Sequence, residues 1–374
     1  MQTWLNDTLQ KIRDKYGWSM EYAARDGMIP YKSEGCKWIP SPFDGNSWWT
    51  GGFWPAIMWQ LYAATGEEKF MLEARRVQAL LEAELVRHDL LNHDMGFMYL
   101  LSFGADYRLT GNTEALRTTL IAADVLAGRF NPAGFIRAWN GRGKEGWAIV
   151  DCLMNLSLLH FATEKTGDPR YRNIALRHAD MSLQHFLRED GSCNHIMIFD
   201  PVTGEALDSP GGQGYEKGSS WSRGQAWALY GFAISFINTG EARYLDAARK
   251  IADYFIANIR EDGLTDCDFR QPKGEERIDN IAAACASCGL MELSKHVGKE
   301  DGEKYTKAAL RMLKALDSRC SDWSQDSFGI LQKCTASYHD DGAGRHVNIV
   351  YGDYFFTEAI CKLRGTDPML WEKT

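Results

Sequence analysis

The chain has 374 residues, 45% of them hydrophobic and 25% charged, with a net charge of -8 and a pI of about 5.7. That is enough apolar material for a large core, and the acidic balance argues against a nucleic-acid partner, which needs a basic face. No run reaches the length of a membrane span, and nine cysteines without a visible leader sequence read as reduced thiols of a cytoplasmic protein.

Taken in chain order, six segments carry few charges and are apolar nearly all round: 49–64, 95–109, 147–165, 222–238, 281–296 and 350–364. Helices of that kind are buried. Most end on a short phrase, Thr65-Gly66-Glu67, Thr110-Gly111-Asn112, Thr166-Gly167-Asp168 or Thr239-Gly240-Glu241, with looser copies at Val297-Gly298 and Gly365-Thr366-Asp367. Glycine there marks a left-handed helix end, and the acid or amide after it caps or charges the next helix. Amphipathic helices follow, such as 171–186 and 244–259. In the second, Leu245, Ala248, Ile251, Ala252, Phe255 and Ile256 recur at three- and four-residue steps. Buried helices alternating with amphipathic ones predict an all-α closed (α/α)6 barrel, with an open solenoid as the alternative. No Pro/Ser-rich or low-complexity linker divides the chain, so residues 1–374 read as one domain. The best strand signal is 195–199, a short hairpin or extended loop.

The residues with chemical character cluster at the front edges of the buried segments. If alternate helices run parallel in a ring, those edges meet at one mouth. Asp151 is the most telling, a carboxylate on an apolar segment where burial raises its pKa toward that of a general acid/base. The structural alternative is a bond to Asn155 one turn on. Asp94 precedes the segment starting at Met95, where it serves equally as an N-cap; paired with Asp151 it gives the two carboxylates of a sugar-cleaving site. His195 can donate to a substrate oxygen or orient water. Arg223, in the first turn of a buried helix, needs an anionic partner: a substrate carboxylate, or an internal aspartate. Tryptophans just ahead of buried helices, among them Trp48, Trp49, Trp139, Trp147, Trp221 and Trp227, are placed to stack on a pyranose. Gly211-Gly212-Gln213-Gly214 lacks the strand and Lys-Ser/Thr of a phosphate loop, and reads as a close approach of backbone and Gln213 to a ligand. Cys285-x-x-Cys288 lacks a second ligand pair, so it reads as core, and no His/Cys/Asp cluster has metal-ligand spacing.

Five ordered motifs then combine: Trp48-Trp49-Thr50-Gly51-Gly52-Phe53-Trp54-Pro55, His93-Asp94-Met95-Gly96-Phe97, Asp151-Cys152-Leu153-Met154-Asn155, Trp221-Ser222-Arg223-Gly224-Gln225-Ala226-Trp227 and Asn348-Ile349-Val350-Tyr351-Gly352-Asp353-Tyr354. Over about residues 45 to 363 the chain resembles glycoside hydrolase family 88, the unsaturated glucuronyl hydrolases. A departure is Val350-Tyr351 where Ile-Trp is expected. The resemblance implies an (α/α)6 barrel. It implies action on an unsaturated uronyl di- or oligosaccharide left by a polysaccharide lyase, by hydration of the C4=C5 vinyl ether. Asp151 would protonate C4 and activate the water, and Asp94 would be the second carboxylate. Substrate-binding positions would be Trp48, His93, Trp139, His195 and Gln213, together with Trp221, Arg223, Trp227 and Tyr338. No metal or organic cofactor is expected, and the enzyme would be a monomer or homodimer. An unsaturated rhamnogalacturonyl hydrolase shares the chemistry but is disfavoured by the Trp-Trp-Thr-Gly-Gly segment. A sugar epimerase would want paired histidines, and a non-catalytic sugar-binding protein would not explain a carboxylate buried on an inner helix.

Overall fold

In the computed structural model, which describes residues 1–43, 45–87 and 89–372, helices dominate and form two concentric rings. The inner ring contains α2 (Phe53–Thr65), a π-helical turn Gly96–Gly104 running into α4 (Ala105–Thr110), α6 (Cys152–Thr166), α8 (Ser222–Thr239), α10 (Asn280–Ser294) and α12 (Val350–Arg364). Each packs on the next, and α12 packs back on α2, which closes the ring. A closed (α/α)6 barrel is therefore observed rather than an open solenoid. The outer ring is α1 (Gln2–Arg25), α3 (Glu68–Glu82), α5 (Thr113–Gly128), α7 (Pro169–His185), α9 (Ala242–Ala257) and α11 (Lys299–Arg319), each backing one inner helix.

The burial pattern explains the sorting. Every residue of α10 from Asn280 to Leu293 is buried, whereas α9 buries one stripe, Tyr244, Ala247, Ala248, Ile251, Ala252 and Phe255. An all-round apolar helix has no face to give to water, so it must sit inside; a striped one must sit at the rim. The repeated Thr-Gly phrase has a mechanical reason. Thr65, Thr166 and Thr239 donate to the carbonyl four residues back and accept the backbone N–H of residue 67, 168 or 241. Each hydroxyl thus ties the end of an inner helix to the start of the outer one. The glycine between them takes the left-handed conformation, as at Gly66 (φ 72°) and Gly240 (φ 75°). The looser Val297-Gly298 copy behaves differently: Gly298 is the extended residue preceding α11, with φ -61°.

Two expectations need correction. The inner segment 147–165 does not begin as a helix: Trp147–Ile149 is a strand (β5), a turn follows, and α6 starts at Cys152. Nor are strands marginal, since three small antiparallel sheets gather around the helix N-termini. β5 pairs with β6 (Ile196–Phe199), which pairs with β7 (Ala206–Asp208); the 195–199 signal marks the middle strand. Three-residue strands are set by pairing across long sequence separations, which no local pattern records. Gly146, at the β5 edge, allows the approach: a Cβ there would lie 1.8 Å from the Phe199 carbonyl oxygen. Cys285 and Cys288 are buried free thiols in the core.

Candidate active site

Inner-helix N-termini face one mouth, and their dipoles add positive potential there. Below the mouth lies a chamber of about 440 Å³ lined by Trp48, Trp49, Asp94, His93, Trp139, Asp151 and Gln213, with Asp89, Leu90, Asn92, Asn140, Lys144 and Ile149. A second chamber of about 530 Å³ adjoins it and shares Trp48, Trp49 and Gln213. Of the predicted site residues, the first chamber brings together Asp94, Asp151, His93, Trp48, Trp139 and Gln213.

Asp151 is the residue just before α6, 7% exposed, and its Oδ1 has no hydrogen-bond partner among the described residues. Asn155 does not satisfy it: Asn155 Nδ2 donates to the Asp151 backbone carbonyl at 3.2 Å, and its Oδ1 accepts from Phe97 N at 2.8 Å. Burial pushes the Asp151 carboxyl up to about 7, partly offset by the Arg223 charge. Asp94 is also buried, and burial together with the nearby Asp151 raises it well above the usual carboxylate range. It directly precedes the inner helix that begins at Met95, and its own backbone N–H donates to Asn92 Oδ1 at 2.7 Å.

His195 approaches Asp151 from β6, with Nε2 3.7 Å from Oδ1. Its Nδ1 accepts the backbone N–H of Gln213 at 3.0 Å, so Nε2 carries the ring proton and points toward the carboxyl. Burial holds the imidazole neutral, with a pKa near 3. The glycine-rich loop makes this contact and also brings Gln213 to the chamber wall. Gly212 has φ +60°, and a Cβ on it would sit 2.1 Å from His195 Nδ1.

Four expected pocket residues are placed elsewhere. Arg223 is fully buried and lines neither chamber; its Nη1 donates to Asp279 Oδ2 at 2.6 Å and to the Thr335 carbonyl, and its Nη2 to the Ala336 carbonyl. This is the internal ion pair. Trp221 is 3% exposed, held between the His195 ring and the Arg223 guanidinium, with centroid distances of 4.3 and 4.5 Å. Trp227 has no exposure and packs between Phe97 and Phe355 as core. Tyr338 donates its hydroxyl to Glu275 and its N–H to the Gln213 carbonyl, so it fastens the Gln213 loop from behind.

Sequence reasoning missed Lys144 and Asp279. Lys144 lies over both Trp139 and Trp147, 5.4 and 5.5 Å from the ring centroids, and among the described residues is the one lysine or arginine lining the first chamber. The signal was present in Asn140-Gly141-Arg142-Gly143-Lys144, a glycine-rich turn between two tryptophans. Asp279 stands 56 residues from Arg223, and nothing local announces the pair.

The family model for Glycosyl Hydrolase Family 88 matches residues 31–355. The chain belongs to glycoside hydrolase family 88. It is 36% identical to an unsaturated glucuronyl hydrolase of Bacillus sp. (strain GL1), with 97% of this chain and 99% of that one covered. It is 35% identical to an unsaturated chondroitin disaccharide hydrolase of Streptococcus agalactiae serotype III (strain NEM316), covering 87% and 84%. The crystal structure of the unsaturated glucuronyl hydrolase of Bacillus sp. GL1 superposes with a TM-score of 0.89 at 33% identity over 97% of this chain and 98% of that one. The family 88 motifs map onto the mouth: the Trp48 segment, His93-Asp94 and Asp151 line the first chamber, while the Trp221-to-Trp227 segment forms its buried support. Among the described residues no helix is long and apolar enough to cross a membrane, and no group of three or more His, Cys, Asp or Glu is arranged to hold a metal ion.

Proposed function

We propose that the chain is an unsaturated glucuronyl hydrolase that releases the 4,5-unsaturated uronic acid from the non-reducing end of lyase-generated oligosaccharides, with Asp151 as its acid/base. The observation that carries the residue assignment is Asp151 itself: buried on the chamber wall, without a hydrogen-bond partner at Oδ1 among the described residues, and raised to about 7. A vinyl ether is hydrated by adding a proton at C4 and hydroxide at C5. The protonated carboxyl of Asp151 supplies the first, and the resulting carboxylate takes a proton from the water that attacks C5. One water is consumed and the carboxyl is restored. The C5 hemiketal opens to a ketone, leaving a hemiacetal at C1 that expels the partner sugar. His195 Nε2–H is placed to donate to the Asp151 carboxylate or to that water. Trp48 and Trp139 supply ring-stacking faces.

With Arg223 spent on Asp279, Lys144 and the helix N-termini are the groups that meet the uronate. We assign the substrate carboxylate to Lys144, in place of Arg223. Residues 1–374 act as one catalytic domain, with the chamber built from a single chain, so a monomer or homodimer suffices. The nine cysteines are all free thiols, which supports a reducing, cytoplasmic setting. The test is a panel of unsaturated uronyl disaccharides differing in the neighbouring sugar, followed by loss of the enol-ether ultraviolet band. Turnover of at least one glycosaminoglycan-type disaccharide is expected; turnover of the rhamnose-linked one alone would move the enzyme to pectin breakdown.

A further inference from the structure

The mechanism uses one buried acid and leaves the proton of the other unassigned. His93 Nδ1 lies 3.0 Å from the Ala138 carbonyl oxygen. A carbonyl only accepts, so Nδ1 carries the ring proton. The same oxygen also accepts from Arg129 Nη2 and from the His93 backbone N–H, both at 3.2 Å, which fixes the arrangement. Nε2 therefore presents a lone pair, and it faces Asp94 Oδ1 at 3.2 Å. Both side chains are buried. Two lone pairs at that distance in a dry pocket repel unless a proton lies between them.

The imidazole does not supply that proton. A second ring proton would make an imidazolium, which burial and the charge of Arg129 oppose, holding the ring near 3. The groups facing Asp94 favour the acid form: Asp151 repels a second anion, burial opposes any anion, and Cys152 is an uncharged thiol. Arg129 acts in the opposite sense, together with hydrogen bonds from Asn92 and Asn155, but the Arg129 guanidinium is already bonded to three carbonyls and Asn140.

We propose that His93 is a positioning residue that keeps a proton on Asp94 Oδ1, so that Asp94 meets the substrate as a neutral acid with its other oxygen as an uncharged acceptor. The inference rests on reading the chamber as a uronate site. There a second ionised carboxylate would repel the substrate and perturb Asp151.

The ring state is read directly in the native enzyme by ¹⁵N spectroscopy of labelled histidine between about pH 5 and 8, with His93 assigned through His93→Gln. A neutral Nδ1–H ring with Nε2 accepting a hydrogen bond across that range is expected; an Nε2–H tautomer or an imidazolium overturns the proposal. That spectrum needs no substrate, so its outcome stands apart from the assignment of Asp151. The kinetic readout is His93→Gln, which places an amide donor where the lone pair was and favours ionised Asp94. The nearby anion should move the alkaline limb of kcat/KM up by about one pH unit and raise KM roughly tenfold, more than it lowers kcat. A limb unmoved from that of the native enzyme contradicts the proposal.

Discussion

Asp151 and Asp353 stand across the ring from each other, each at the N-terminal end of an inner helix and each buried. Asp353 is enclosed by donors: Tyr16 Oη at 2.8 Å, Ile330 N at 2.9 Å, Leu331 N at 2.6 Å and Asn348 Nδ2 at 3.1 Å. Among the described residues Asp151 Oδ1 has none, and the neutral imidazole of His195 lies 3.7 Å away. Burial raises both carboxyls, but only Asp353 has hydrogen bonds from four groups working against that shift. A buried carboxylate surrounded by donors ties α1, the 330–331 loop and α12 together. One left without them exchanges a proton near neutral pH, which is what the proposed chemistry asks of it.

Exchanging each acid for a neutral group separates the two roles. Asp151→Asn should lower kcat by about 10²–10⁴-fold, because the amide cannot transfer the proton. The same change should raise stability at alkaline pH. With its pKa raised to about 7 from an ordinary 3.8, the native carboxyl holds a proton that the unfolded chain has lost between those values. Stability from this group is therefore lost as pH rises through that window, and the asparagine variant avoids the loss. Thermal melts at pH 5 and pH 8 should show the variant gaining on native enzyme at both, and by more at pH 8.

Asp353→Ala should do the reverse. It strands several buried donors, and a loss of about 3–5 kcal/mol in urea unfolding is expected, comparable to breaking a buried ion pair. Arg223→Ala, which leaves Asp279 buried and unpaired, belongs with it. Its melting temperature should fall sharply, and a variant with intact stability but a raised KM would return Arg223 to the substrate.

The pH profile comes next in size. If the acid form of Asp151 is required, kcat/KM should be flat below about 7 and fall tenfold per unit above it. A profile limited instead by deprotonation, rising through that range, would assign Asp151 the role of base alone. The smallest effect is at Lys144. It is exposed, so solvent screens its charge, and Lys144→Ala should raise KM roughly 3- to 10-fold with little change in kcat.

The rings were legible in the sequence because apolar helices without a polar face have only one place to go, and because Thr-Gly phrases mark the reversals. The site was half legible. Asp151 stood out as a charge in an apolar run, and the structure places it at the chamber. Arg223 looked similar, but a single charge in such a run does not say whether its partner is a ligand or Asp279, 56 residues on. The strand at 147–149 and the role of Gly212 were hidden for the same reason: each depends on a neighbour distant in sequence, the 196–198 strand and the His195 ring. The π-helical turn at Gly96–Gly104 also had no local mark. It lies where Gly96 meets Asn155, at a distance that leaves no room for a Cβ.

In the proposed reaction water adds across C4=C5 rather than cleaving the glycosidic bond directly. Turnover of an unsaturated uronyl disaccharide in D₂O, analysed by mass spectrometry and NMR, tests it. Hydration predicts loss of the enol-ether band in step with release of the partner sugar, with deuterium delivered to C4 of the uronyl product. Release of the partner sugar with the C4=C5 bond intact and no deuterium at C4 would contradict it.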